Sequence, residues 1–92
     1  MSNAKNKLEV HVCDMDEEMK TLAMQKVRDA FANCKDERKM ADFLTNTFFR
    51  QYNGSWNCIV GKNYGSHVVH MTQSYIFCTY GEDISILLWK SG

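Results

Sequence analysis

The C-terminal stretch WNCIVGKNYGSHVVHMTQSYIFCTYGEDISILLWKSG, residues 56–92, runs four β-like segments together with little but Gly, Asn and Gln between them. Its alternation and β-branched content predict strands over 56–61, 64–71, 74–80 and 84–89. The last of these, ISILLW, is apolar on both faces, as expected of a central strand covered on both sides. The second, within NYGSHVVHMT, fits no such place. Tyr64, Ser66, Val68 and His70 would face one way, and Gly65, His67, Val69 and Met71 the other, leaving neither face cleanly polar or apolar. A strand of that kind suits a sheet whose faces are shared, one with another chain and one with a ligand. The chain has 92 residues, enough for one domain that buries only about 60–65% of its unfolded surface. Oligomerisation would widen so thin a margin.

The N-terminal half reads differently. Residues 1–7, MSNAKNK, form a polar, frayed segment in which SNA is compatible with a tag remnant, and a single domain occupies residues 8–92. Leu8, Val10 and Val12 alternate with Glu9 and His11, predicting a short strand with its three apolar side chains on one face. Asp14 or Asp16 then offers a helix cap, with Glu17 and Glu18 in the first turn. Met19, Leu22, Ala23, Val27, Ala30, Phe31 and Cys34 recur at helical spacing to about Cys34. Asp36 caps a second helix with the stripe Met40, Ala41, Leu44, Phe48 and Tyr52, closed by Asn53-Gly54. Phe43 and Phe49 fall off that stripe. They meet the sheet or a second subunit, or they simply widen the apolar face. The elements read as two helices and a run of strands, an α+β chain.

Several functions are disfavoured at this level. Lys and Arg number 11 against 11 Asp and Glu, and no basic run is interleaved with aromatics, so nucleic acid and anionic membranes are not the expected partners. The apolar runs are much shorter than the ~20 residues that cross a bilayer, and the N-terminus lacks a signal-peptide core, which together suggest a soluble intracellular protein. Cys13, Cys34, Cys58 and Cys78 form no C-x-x-C pair and read as reduced, mostly buried thiols. His67 and His70 are spaced so that a strand sends them to opposite faces, which argues against a metal site. Cys58 with His70 is the conceivable nucleophile and base of a thiol enzyme, but no strained elbow or orienting carboxylate accompanies them. GKNYG lacks the order and context of a phosphate loop. No cofactor is expected.

DMDEEM leading into a helix, YNGSWNCIVGKNYGSHVVH, and the terminal ILLWKSG together resemble the cytoplasmic dynein light chain family of about eight kilodaltons, over residues 8–92. The resemblance implies two helices packed on an antiparallel sheet, in a homodimer in which one strand of each subunit, here residues 64–71, is exchanged into the partner's sheet. It implies no catalysis. It implies instead an adaptor that takes short linear motifs as added β-strands, the main chain supplying generic affinity and side-chain pockets supplying choice. By position the groove would comprise Asn63, Tyr64, Gly65, Ser66, His67, Val68, Val69 and His70, backed by Tyr75, Phe77 and Thr79. Glu37 and Arg38 would open the helix end where similar proteins receive a partner Gln, within a Thr-Gln-Thr-like segment. The dimer interface would draw on Trp56, Asn57, Cys58, Lys62, Tyr64, Ser66, His67, Val68 and Val69. The implied partners are the chain itself, the dynein intermediate chain and other proteins carrying such motifs, in the cytoplasm and on the microtubule cytoskeleton. A light chain dedicated to one axonemal or membrane-associated complex is the alternative within the same family.

The chain departs from the family pattern at the groove. Val69 stands where Thr is usual, Thr79 where Tyr is usual, and Arg38 where Lys is usual, so motif preference is expected to differ. Asn57 replaces a His near the two-fold axis, and His67 occupies a position more often Tyr. Gly81-Glu82-Asp83 lengthens the last hairpin by one residue and Gly54 replaces a Pro, both of them turn adjustments.

Overall fold

A computed structural model of the chain describes residues 7–62, 74–81 and 83–91. Two helices lie on one face of an antiparallel sheet. In chain order the elements are β1 (Leu8–Asp14), α1 (Glu17–Asn33), α2 (Glu37–Tyr52), β2 (Ser55–Lys62), β3 (Tyr75–Tyr80) and β4 (Ile84–Ser91). Among the described residues the strand order is β1-β3-β4-β2. The expected strand over 64–71 lies outside the described residues.

Both helices begin as their sequences dictate. Asp16 caps α1 by accepting from the Met19 N–H at 2.8 Å, and Asp36 caps α2 by accepting from the Lys39 N–H at 2.8 Å. Each carboxylate takes up one donor that the helix itself leaves without an acceptor. Of the two caps considered for α1, the geometry selects Asp16. At the far end of α2, Asn53 (φ 61°) and Gly54 (φ 87°) carry the chain into β2. Proline's ring forbids the conformation held by Gly54, so a chain with Pro there would leave the helix by another path.

The helical stripes and one face of the sheet make the core. Ala23 and Val27 from α1 and Leu44 and Phe48 from α2 close on Trp56, Ile76, Cys78, Ile86 and Leu88, all buried. Phe48 is the largest of them with no exposed surface, and its ring lies 4.9 Å from that of Trp56 and 5.6 Å from that of Tyr52. The indole of Trp56 stays satisfied while buried because its Nε1–H donates to the Asn53 carbonyl at 2.8 Å. β4 runs between β3 and β2 with Ser85 to Leu88 all buried, the central strand that its two-faced apolarity predicts. Of the two phenylalanines off the α2 stripe, Phe43 packs against the core and Phe49 is exposed.

β1 corrects the expected alternation. Val10 pairs with Cys78 but Val12 pairs with Phe77, so His11 is an extra residue and the register shifts between the two valines. The bulge moves Val12 out of the helix-facing set, where it is 37% exposed, and Cys13 packs against the core instead. One inserted residue reverses the face of everything after it in a period-two element.

Candidate functional site

The face of the sheet away from the helices carries the side chains that could meet a partner. Strand register aligns them in rows. Val12, Phe77, Leu87 and Ile59 form an apolar row across β1, β3, β4 and β2. Glu9, Thr79, Ser85 and Gly61 form the row on one side of it, and Asp14, Tyr75, Trp89 and Asn57 the row on the other. Phe77, Ser85 and Leu87 are buried at the centre, while Val12 and Ile59 at the flanks are 37% and 48% exposed. Exposed β-branched side chains in line with buried apolar ones are the composition of an interface more than of a solvated surface.

Tyr75, Phe77 and Thr79, three of the residues expected to back a groove, therefore share this face. Asn57 lies on it as well, and its amide donates to Ser91 Oγ at 2.9 Å. Trp56 and Cys58, expected at a dimer interface, point their side chains toward the helices. They can serve an interface only through the backbone of β2, which is an edge strand whose outer side pairs with none of the other described strands. Lys62 ends that strand, exposed. Asn63, Tyr64, Gly65, Ser66, His67, Val68, Val69 and His70 lie outside the described residues.

Glu37 and Arg38 are exposed at the start of α2. Asp36 takes the Lys39 N–H and its carbonyl takes the Met40 N–H. The N–H groups of Glu37 and Arg38 are first-turn donors with no acceptor inside the helix, and such a pair suits an amide or carbonyl oxygen from outside.

Sequence reasoning passed over His11 on this face, as it did Val12, Ile59, Leu87 and Trp89. The bulge turns the His11 ring onto β3, where Nε2 lies 2.9 Å from Thr79 Oγ1 and the ring centroid 5.8 Å from that of Phe77. Alternation had assigned His11 to a solvated side, and nothing local marks a bulge between two valines.

Cys58 and Cys78 do not have the surroundings of a nucleophilic thiol. Burial pushes the Cys58 thiol up to about 12, with Cys78 adding to the effect, and burial likewise pushes Cys78 up to about 12, with Cys13 adding to it. A nucleophilic cysteine needs the opposite displacement. Among the described residues no cluster of His, Cys, Asp and Glu could hold a metal ion, and no helix is long and apolar enough to cross a membrane. An open cleft of about 470 Å³ lies between the start of α1 and the end of α2, where Glu17, Glu18, Thr21, Leu22, Gln25, Gln51 and Tyr52 line it.

The buried thiols have a consequence in alkali. Cys78 is fully buried, and its thiol rises from 9.0 unfolded to about 12 folded. The native state thus holds the proton where the unfolded state releases it. Its contribution is complete below pH 9 and is lost as pH rises toward 12, at about 1.4 kcal/mol per pH unit. Urea unfolding of the reduced protein from pH 8.5 to 11 should show a shallower loss of stability in Cys78→Ala than in wild type. Equal slopes would show that Cys78 ionises as freely folded as unfolded.

Comparison with known proteins agrees with this architecture. Residues 7–91 match the family model for dynein light chain type 1. The fold is similar to that of the dynein light chain-like domain of a calcium binding protein from Fasciola hepatica, with TM-score 0.80 and 21% identity, covering 100% of this chain and 99% of that one. A mercury derivative of the same domain matches with TM-score 0.75 and 23% identity over 100% of this chain and 96% of that one.

Proposed function

The chain belongs to the dynein light chain type 1 family, and from that premise we propose that it is a non-catalytic homodimeric adaptor that takes short linear motifs as added β-strands and so joins two partner chains. Membership supports a light-chain role tied to dynein and the cytoskeleton. The finer reading rests on the sheet face opposite the helices. Its apolar row of Val12, Phe77, Leu87 and Ile59 is of a kind that a second copy would cover. β2 lies at the edge of the described sheet, where the strand that the partner would donate could pair. Residues 63–70 would form the edge that receives the peptide, with Tyr75, Phe77 and Thr79 behind it and the first turn of α2 at its end. The partners are then the dynein intermediate chain and other proteins with Thr-Gln-Thr-like segments. Two grooves on one rigid dimer would present the second peptide of a dimeric partner at roughly millimolar effective concentration, turning weak single-site binding into avidity.

Amide NMR of the labelled full chain titrated with a Thr-Gln-Thr peptide tests this. Shifts should concentrate in residues 63–70, in β3 and at Glu37 and Arg38, and Phe77→Ala should weaken binding by about 1–3 kcal/mol if its ring floors a pocket. Shifts confined to the exposed sides of α1 and α2 would refute the groove.

A further inference from the structure

We infer that the cleft between the second half of α1 and the end of β3 docks an acidic linear segment of a partner protein, whose apolar anchor lies against Phe31 and Tyr80 while a carboxylate two residues further on pairs with Arg28. The cleft is on the helix side of the sheet, away from the face that a second copy would cover.

The helix repeat and the sheet register build it together. Arg28, Phe31 and Ala32 stand three and four residues apart on α1 and so share one face of the helix. Tyr80 ends β3, aligned with Leu8 and Ile84, and its side chain packs on the core from the helix side, as does that of Phe31. The two rings stack with centroids 4.1 Å apart and planes 19° from parallel. With Arg28 and Ala32 they line an open cleft of about 620 Å³. Phe31 and Tyr80 are each half-buried, and Arg28 and Ala32 are exposed.

The charge of the lining selects the occupant. A guanidinium presents five N–H donors in a fixed fork and the Tyr80 phenol can add one more, yet no carboxylate lines the cleft. Asp29, the acid next to Arg28 in sequence, pairs instead with Lys26 at 3.8 Å, and among the described residues Arg28 has no ion-pair partner. A fork of donors beside half-covered aromatic surface is complementary to a carboxylate carried close to an apolar group. A basic segment would meet like charge. A small inorganic anion would leave the rings wet. The spacing sets the pattern within the segment. Arg28 and Ala32 are about 6 Å apart along the helix axis, and an extended chain places the side chains of residues i and i+2 on one side at about 6.5–7 Å. The matching motif is therefore an aromatic or aliphatic anchor, any residue, then Asp or Glu.

The test titrates the labelled full chain, followed by amide NMR, with acetylated and amidated peptides that carry a Phe-Ser-Glu core in a Gly-Ser background. The peptides contain no Thr or Gln, so the groove proposed above is not addressed, and either result leaves that reading untouched. Shifts should gather at residues 28–32 of α1 and at Tyr80 with millimolar or tighter affinity. Replacing the core Glu by Gln should weaken binding by about threefold to fivefold, the range of an exposed charge pair. Arg28→Glu changes an exposed side chain and should reverse the order, so that a Phe-Ser-Lys core binds more tightly than Phe-Ser-Glu. A merely structural Arg28 would not give that reversal. Silence at millimolar peptide, shifts confined to other elements, equal binding of the Glu and Gln cores, or an Arg28→Glu variant that keeps the wild-type order each overturns the site. A sedimented mass that falls in Arg28→Glu would assign the cleft to a second copy and overturn it equally. So would shifts at Arg28, Phe31 and Tyr80 on deleting residues 1–6 without any response to peptide, which would assign it to the chain's own N-terminus.

Discussion

Ile59→Glu is expected to convert the proposed dimer into a folded single chain. Sedimentation of wild type at micromolar concentration should give about twice the 10.7 kDa chain mass, and the variant should give the single mass. Ile59 is 48% exposed in the single subunit and ends the row Val12, Phe77, Leu87 and Ile59. A second copy covering that row would seal a carboxylate from each subunit into an apolar contact. An unpaired buried charge costs about 3–5 kcal/mol, which is more than about a hundredfold in the dissociation constant. Within one subunit the same glutamate stays in water, where surface changes stay within about 0.5 kcal/mol. The variant should therefore keep its circular dichroism and lose its mass. A dimer indifferent to Ile59→Glu would place the contact elsewhere, and a monomeric wild type would end the adaptor reading in its paired form.

Phe48→Ala should have the largest effect on the subunit itself, a loss of about 3–5 kcal/mol. Phe48 has no exposed surface and its ring joins α2 to Trp56 on β2 and to Tyr52 in its own helix. Truncation empties the place where helix and sheet meet, and backbone held in an antiparallel ladder cannot collapse into the gap. A chain of this size has little to spare. Denaturant midpoints at one fixed protein concentration measure the change, since any dimerisation would add to apparent stability by mass action. A loss under about 1.5 kcal/mol, the range of a volume-conserving swap, would mean that the core relaxes around the deletion.

The helices were legible in the residues because every determinant of them is local. The stripe Met40, Leu44 and Phe48, the cap Asp36 and the stop Asn53-Gly54 all act within a turn or two of where they stand. Strand 84–89 was legible as central because a strand covered on both faces must be apolar on both. Tyr75, Phe77 and Thr79 were named from the family resemblance, and their sharing one face of β3 is what alternation requires. Residues 63–70 were named from that resemblance alone.

Alternation failed at β1 for a physical reason. A bulge is set by pairing with a strand more than sixty residues away, and Leu8, Val10 and Val12 look the same in sequence whether the ladder is regular or shifted. Sequence by itself determined which segments are helical and which strand is central, because periodicity and caps are properties of the segment, whereas of the four thiols expected to be mostly buried only Cys78 is fully so. Only the tertiary structure decided the order β1-β3-β4-β2, the outward turn of Val12, the inward turn of Trp56 and Cys58 and the seating of His11 on Thr79. Each of these depends on which backbone a strand finds as its neighbour, and in which register.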